Sequence, residues 1–267
     1  MITGSLVVRV LHAYHQGMTE SNGARNRRRG IYILPNVMTT GCLFSGFYAI
    51  VAAIDGNFER AGIAVFVAML FDGLDGRIAR WTGTESAFGK EYDSLADMVA
   101  FGVAPAIVTY QWGVVRIAEY GDTWRRFAWI VAFFYAAAAA LRLARFNARS
   151  ASDKRFFEGL PSPSAAAAVA AFVWLWSQWR QPGLTGLILA ITVTGLAGAL
   201  MVSSFSYPSL KQVDDDRRVR FVTLTTVLLA FVFIAIDPPT MLFAMFATYG
   251  LSAPALWLWR RVLRLRR

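Results

Sequence analysis

Four aspartates stand inside apolar sequence, Asp72 and Asp75 in AMLFDGLDGRIARW and Asp93 and Asp97 in FGKEYDSLADMVAFGVAP. Carboxylates at membrane depth are costly unless they bind cations or pass protons, so such a cluster marks a functional site. The first two acids are three residues apart and the second two are four apart. On helices each pair projects from one face, and two neighbouring helices can bring all four carboxylates together. Gly76 and Ala79 share the face of Asp72, where small residues let a large ligand or a neighbouring backbone come close. Between the pairs, Arg77, Arg80, Ser86, Gly89 and Lys90 supply cationic and hydroxyl groups. Hard oxygen ligands beside an arginine suit divalent metal ions that bridge phosphates.

The elements that must position these acids lie in a bilayer. Of the 267 residues 56% are apolar, and the mean hydropathy is +0.44. About 20 apolar residues cover the hydrocarbon core, and candidate spans fall at roughly 33–54, 59–80, 92–113, 127–146, 163–179, 184–203, 219–236 and 240–259. The sequence therefore predicts an all-α fold, a polytopic membrane helix bundle of about eight transmembrane helices. A polar cavity is expected to open to the cytoplasm with the carboxylates near its floor.

The net charge of +10 follows the same topology. With the N-terminus inside, only Arg60, Arg116, Arg125, Arg126 and Arg180 fall on or near outer loops. Arg25, Arg27, Arg28, Arg29, Arg149, Lys154, Arg155, Lys211, Arg217, Arg218, Arg220 and the C-terminal arginines fall inside. This is the positive-inside pattern, which places both termini in the cytoplasm and argues against a nucleic-acid partner, since a basic binder needs a patch and a fold to present it. Residues 1–30 are expected to form a flexible basic tail, since the apolar stretch LVVRVLHAYH is too short for a signal peptide and no small-residue cleavage site follows it, and His12 and His15 within it receive no ligand role. Cys42 is the only cysteine, which excludes an intramolecular disulfide and a cysteine-based metal site.

The acidic segment reads as D-x2-D-G-x2-A-R-x8-G-x3-D-x3-D, filled by Asp72, Asp75, Gly76, Ala79, Arg80, Gly89, Asp93 and Asp97. This resembles the signature of the CDP-alcohol phosphotransferase family, integral membrane enzymes that move a substituted phosphate from a CDP-linked donor to an alcohol and release CMP. The resemblance implies a first divalent ion on Asp72, Asp75 and Asp93 and a second on Asp72, Asp93 and Asp97, either Mg2+ or Mn2+, with Asp97 also accepting the proton of the attacking hydroxyl. It implies donor contacts at Gly76, Arg80, Ser86 and Gly89, and at Pro35, Asn36 and Thr39 in the first-helix segment LPNVMTT. Two ions of this kind would neutralise the diphosphate and the leaving CMP.

Arg142-Leu143-Ala144-Arg145-Phe146-Asn147, followed by Phe157-Glu158-Gly159-Leu160-Pro161-Ser162-Pro163, is similar to the phosphatidylserine synthase branch, as is GIYILPN with GFYAI at the start. On that likeness the donor is CDP-diacylglycerol and the acceptor L-serine, the enzyme is a homodimer of the bacterial inner membrane, and residues 31–203 form the catalytic domain with further helices over 204–267. A zwitterionic acceptor needs a partner for its carboxylate. Arg142 or Arg145 fits, because arginine binds carboxylate bidentately, and Asn147 and Ser162 are further candidates.

Plainer readings stand beside these. Arg142 and Arg145 also fit as boundary anchors that snorkel to headgroups. Asp214, Asp215 and Asp216 read as a solvated turn, the runs Ala136–Ala140 and Ala165–Ala168 as packing faces, and Pro161 and Pro163 as the start of the fifth span. Other acceptors, such as glycerol 3-phosphate, inositol phosphate or choline, keep the same chemistry. A divalent-cation transporter is the alternative from a different class.

Overall fold

A computed structural model describes residues 34–117, 121–148, 157–178, 183–207 and 221–265. The basic tail over 1–30, the cations at Arg149, Lys154, Arg155, Lys211, Arg217, Arg218 and Arg220, and the Asp214–Asp216 turn lie outside the described residues.

The chain opens with α1 (Leu34–Ile54), turns at Gly56, whose φ of 75° favours glycine, and enters α2 (Phe58–Thr82). Asn57 starts that helix by accepting the Arg60 backbone N–H at 3.1 Å. Gly83 ends it in the left-handed conformation. Ser86 then caps α3 (Ala87–Asp97), its hydroxyl accepting the Gly89 backbone N–H at 2.9 Å. α3 does not stop at Asp97. It widens into a π-helical turn, Met98–Val103, and continues as α4 (Ala104–Ile117). Next come α5 (Asp122–Ala148), a two-residue strand β1 (Phe157–Glu158), α6 (Ser162–Ser177) and α7 (Leu184–Val202). The second strand, β2 (Ser206–Tyr207), precedes α8 (Phe221–Ile236) and α9 (Pro238–Leu265).

The described residues are thus almost wholly helical, with one short antiparallel pair, Phe157 opposite Tyr207 and Glu158 opposite Ser206. Among the described residues, four helices are long and apolar enough to cross a membrane: α1, α5, α7 and α9. These make the chain an integral membrane protein. One expected span falls short for a geometric reason, since α6 is 16 residues and rises only about 24 Å, less than the roughly 30 Å hydrocarbon core. α2 and α3 instead carry the charged motif.

α6 is the centre of the bundle. Every residue from Ala165 to Trp174 is buried, and α2, α4, α7 and α9 pack around it. The alanines of this run let the neighbours come close, as lipid-embedded helices require when packing rather than water drives association. Gly62 on α2 shows how close, because a Cβ there would lie 2.9 Å from the Cβ of Trp174. On the outside, Phe44, Phe47, Ile54, Phe133 and Ile236 are exposed apolar groups, as expected of surfaces that meet lipid.

The helices after residue 203 pack into the same body. Tyr207 is fully buried and donates its hydroxyl to the Gly250 carbonyl at 2.8 Å, tying the α7–α8 connection to α9.

Candidate active site

α2 and α3 converge at one end of the bundle. Asp72, Asp75 and Asp93 each offer a carboxylate oxygen, and these oxygens lie within 4.8 Å of one another. Asp97, one turn along from Asp93, lies near enough for its side chain to act on Asp72, outside the three-acid cluster itself. One of its oxygens, Oδ1, is buried with no hydrogen-bond partner among the described residues. Four acids so arranged repel one another, and a buried carboxylate oxygen without a donor is destabilising. A divalent cation offsets that repulsion, so the donor set fits a hard metal ion. The cluster of Asp72, Asp75 and Asp93 could hold one.

α1 closes one side. Thr39 is buried, and its hydroxyl reaches Asp75 Oδ2 at 2.8 Å and the Pro35 carbonyl at 3.1 Å. That contact orients the most buried of the acids. Nearby, the Thr40 and Tyr92 hydroxyls lie 3.0 Å apart and join α1 to α3. Tyr92 had no motif to mark it, although its place beside Asp93 was a signal.

Next to the acids is a cavity of about 460 Å³ lined by Pro35, Asn36, Thr39, Asp75, Gly76, Ala79, Arg80, Thr84, Glu85, Ser86, Ala87, Gly89, Lys90 and Asp93. All seven residues expected to meet the donor line it. Its chemistry suits a diphosphate on three counts. Arg80 and Lys90 bring positive charge. The N-terminus of α3, with its positive dipole end, opens onto it at Ser86–Gly89. Gly76 adds no side chain to the lining beside Arg80, whose Nη1 lies 3.4 Å from where a Cβ would stand. Ser86 also has a plain structural task here, the cap of α3. Arg77, by contrast, is exposed and does not line the cavity.

α5 and α6 form a second side. Arg142 Nη1 donates to Ser162 Oγ at 2.8 Å, and the charge of Arg142 acts on Asp97. Its Nε is buried and lacks a hydrogen-bond partner. Asn147 Nδ2 donates to Ser94 Oγ at 2.9 Å, joining the end of α5 to α3. Arg145 is exposed, so of the two arginines only Arg142 is turned inward. Ser162 is delivered by a tight crossing. Gly159 has φ 83° and packs so closely on the Met201 carbonyl that a Cβ would collide with it. The Gly159 and Leu160 N–H groups bond to the Phe205 and Leu200 carbonyls at 2.9 Å each. Pro161 then precedes the first turn of α6, with Pro163 inside it.

Comparison with known proteins agrees with this geometry. The family profile described as CDP-alcohol phosphatidyltransferase matches residues 32–203, a segment that holds both sides of the site, and the chain belongs to that family. Among its relatives is a CDP-diacylglycerol–serine O-phosphatidyltransferase of Helicobacter pylori, 38% identical over 205 residues, covering 76% of this chain and 83% of the relative. The enzyme of the same name from Mycobacterium leprae is 32% identical over 238 residues, 86% of this chain and 76% of the relative. An archaetidylserine synthase of Methanothermobacter thermautotrophicus is 36% identical over 177 residues, 66% of this chain and 69% of the relative.

Proposed function

We propose that this protein is a CDP-diacylglycerol–serine O-phosphatidyltransferase, which moves the phosphatidyl group of CDP-diacylglycerol to L-serine and yields phosphatidylserine and CMP. The names of its relatives support the donor and the acceptor. The observation that carries the acceptor is a complementary pair of buried atoms without partners, Arg142 Nε and Asp97 Oδ1. One is a cationic donor and the other an anionic acceptor, and they belong to side chains in electrostatic reach of each other. An acceptor with a carboxylate at one end and a hydroxyl at the other satisfies both.

On this reading Pro35, Asn36, Thr39, Gly76, Arg80, Ser86 and Gly89 enclose the cytidine diphosphate part of the donor. Its acyl chains leave sideways between helices into lipid. Asp72, Asp75 and Asp93 hold one divalent ion and Asp72, Asp93 and Asp97 a second, Mg2+ or Mn2+. When bound, the ions offset the charge of the diphosphate and of the leaving CMP. The serine hydroxyl oxygen attacks the phosphorus that bears the diacylglycerol, the P–O bond to CMP breaks, and CMP leaves with that electron pair. The hydroxyl proton passes to Asp97. Arg142, held by Ser162, pairs with the serine carboxylate, and Asn147 braces the end of α5. Exposed Arg145 anchors that end at the membrane boundary.

The same reading has eight helical spans, with α3, the π turn and α4 counted as one, crossing or entering the bilayer of a bacterial inner membrane, both termini cytoplasmic, and two copies forming a homodimer. Residues 31–203 carry catalysis, and 204–267 add helices that support α6.

An acceptor panel tests the proposal. Purified protein in detergent with CDP-diacylglycerol and Mn2+ should release CMP on addition of L-serine, and far less with glycerol 3-phosphate, inositol phosphate, choline or ethanolamine. Release with another alcohol in place of serine would reassign the acceptor. No release with any of them would favour cation transport over group transfer.

A further inference from the structure

The π-helical turn directly after Asp97 is pinned in a way that neither the metal cluster nor the donor cavity accounts for. In a π turn the backbone bonds run i→i+5 instead of i→i+4, which lodges one extra residue in the helix and disturbs the regular pairing of carbonyls. The Phe101 carbonyl in this turn accepts the hydroxyl of Tyr135 at 3.0 Å. Tyr135 is fully buried, so its hydroxyl satisfies the carbonyl from inside the bundle. A second helix grips the turn from the other side. Gly46 of α1 packs so tightly that a Cβ there would lie 2.6 Å from the Cα of Ala100. At Gly102 a Cβ would lie 3.2 Å from the Cβ of Ala139 on α5.

α5 runs antiparallel to α3 and α4 along this contact. Asn147 meets Ser94, Arg142 acts on Asp97, Ala139 meets Gly102, and Tyr135 meets Phe101. Tyr135 and Arg142 are seven residues apart, two turns on one helix face. Asp97 and Phe101 are one turn apart. One face of α5 therefore ties the acid-bearing helix by hydrogen bonds on either side of Asp97, at Ser94 before it and at the widened turn just beyond it.

We propose that Tyr135 is a positioning residue for group transfer: by holding the Phe101 carbonyl in the π turn, it sets the rotation of the helix end that carries Asp97 and so the aim of that carboxylate at the acceptor hydroxyl. This rests on the reading above in which Asp97 takes the acceptor's proton. A small rotation there changes a proton-transfer geometry while leaving the donor cavity, which lies toward α1 and the start of α3, almost untouched.

The test is a double-mutant cycle on serine-dependent CMP release. Tyr135→Phe keeps the ring and removes only the hydroxyl. It should lower kcat about fivefold or more, the scale of one net hydrogen bond, with KM for CDP-diacylglycerol within about twofold of wild type. In an Asp97→Glu background, where the carboxylate is already displaced, the same change should cost almost nothing further. Gly46→Ala, whose methyl must displace Ala100, should repeat this pattern and serves in its place if Tyr135→Phe does not fold. Unchanged kcat in these variants would overturn the proposal, as would an equal fold-loss with Asp97 and with Glu at position 97. Absence of serine-dependent release from the wild type would instead overturn the functional reading, and this inference with it.

Discussion

The two sides of the site are built differently. On the donor side, α2 and the first half of α3 supply most of the chemistry from residues 72–93, and the cavity beside them is wide, at about 460 Å³. On the acceptor side, the groups come from α3, α5 and α6 and are held by single hydrogen bonds across long sequence separations, Arg142 to Ser162 and Asn147 to Ser94. A diphosphate with two ions needs a dense array of charge, which a short contiguous motif on two helices can deliver. A small zwitterion needs a few groups at set angles, which depends on how whole helices dock. The comparison predicts that damage on the donor side abolishes binding and turnover together, whereas damage on the acceptor side is partial and selective.

The largest effect is expected from the shared acids. Asp72→Asn or Asp93→Asn removes a ligand assigned to both ions, which should cost several kcal/mol of transition-state stabilisation, roughly a loss of all measurable CMP release. Chelation of divalent ions from the wild type should have the same result and be reversed by Mn2+. Near-normal turnover in either variant would break the two-ion assignment.

Asp97→Asn comes next and sharpens the boundary between the two sides. An amide cannot take the hydroxyl proton, so kcat should fall by about 10²–10⁴-fold, while CDP-diacylglycerol still raises the thermal midpoint of the protein. Loss of that donor-induced shift, as complete as in Asp72→Asn, would confine Asp97 to ligation.

Gly159→Ala acts at a distance from all the acids. Its φ is 83° and its neighbour is the Met201 carbonyl, so the methyl must distort the crossing that delivers Ser162. A destabilisation of about 1–3 kcal/mol is expected, read as a lower thermal midpoint, together with a raised KM for serine. A rise in donor KM alone would show that this crossing serves the other side.

The same contrast explains what was legible in the sequence. The convergence of the acids follows from spacing, because i,i+3 and i,i+4 positions share a helix face wherever that helix packs, whereas the donor roles of Gly76, Arg80 and Gly89 came from the family resemblance. The long apolar stretches gave α1, α5, α7 and α9, and the alanine run Ala165–Ala168 proved to be a buried packing face. Arg142 and Arg145 could not be separated, since three residues along a helix leave them only about 60° apart, and the burial of one depends on α6. The π turn and the β1–β2 pair carry no pattern of their own. One inserted residue and two two-residue strands are shorter than any periodicity can show, and both are fixed by distant partners, the π turn by Tyr135 on α5 and the strand pair by the Gly250 carbonyl on α9, which Tyr207 reaches. The short α6 was expected as a full span because its apolar run was visible, while its early stop at Ser177 was not.

The most direct test of the two-sided account is steady-state kinetics of Arg142→Lys with L-serine and with ethanolamine. Lysine keeps the charge but loses the planar two-pronged donor, so a penalty of about 1–3 kcal/mol is expected for serine. This should appear as a higher KM for serine, an unchanged KM for CDP-diacylglycerol, and little further loss with ethanolamine, which has no carboxylate to lose. An equal loss with serine and ethanolamine, or a loss expressed mainly in donor KM, would contradict the account and leave Arg142 as a brace between α5 and α6.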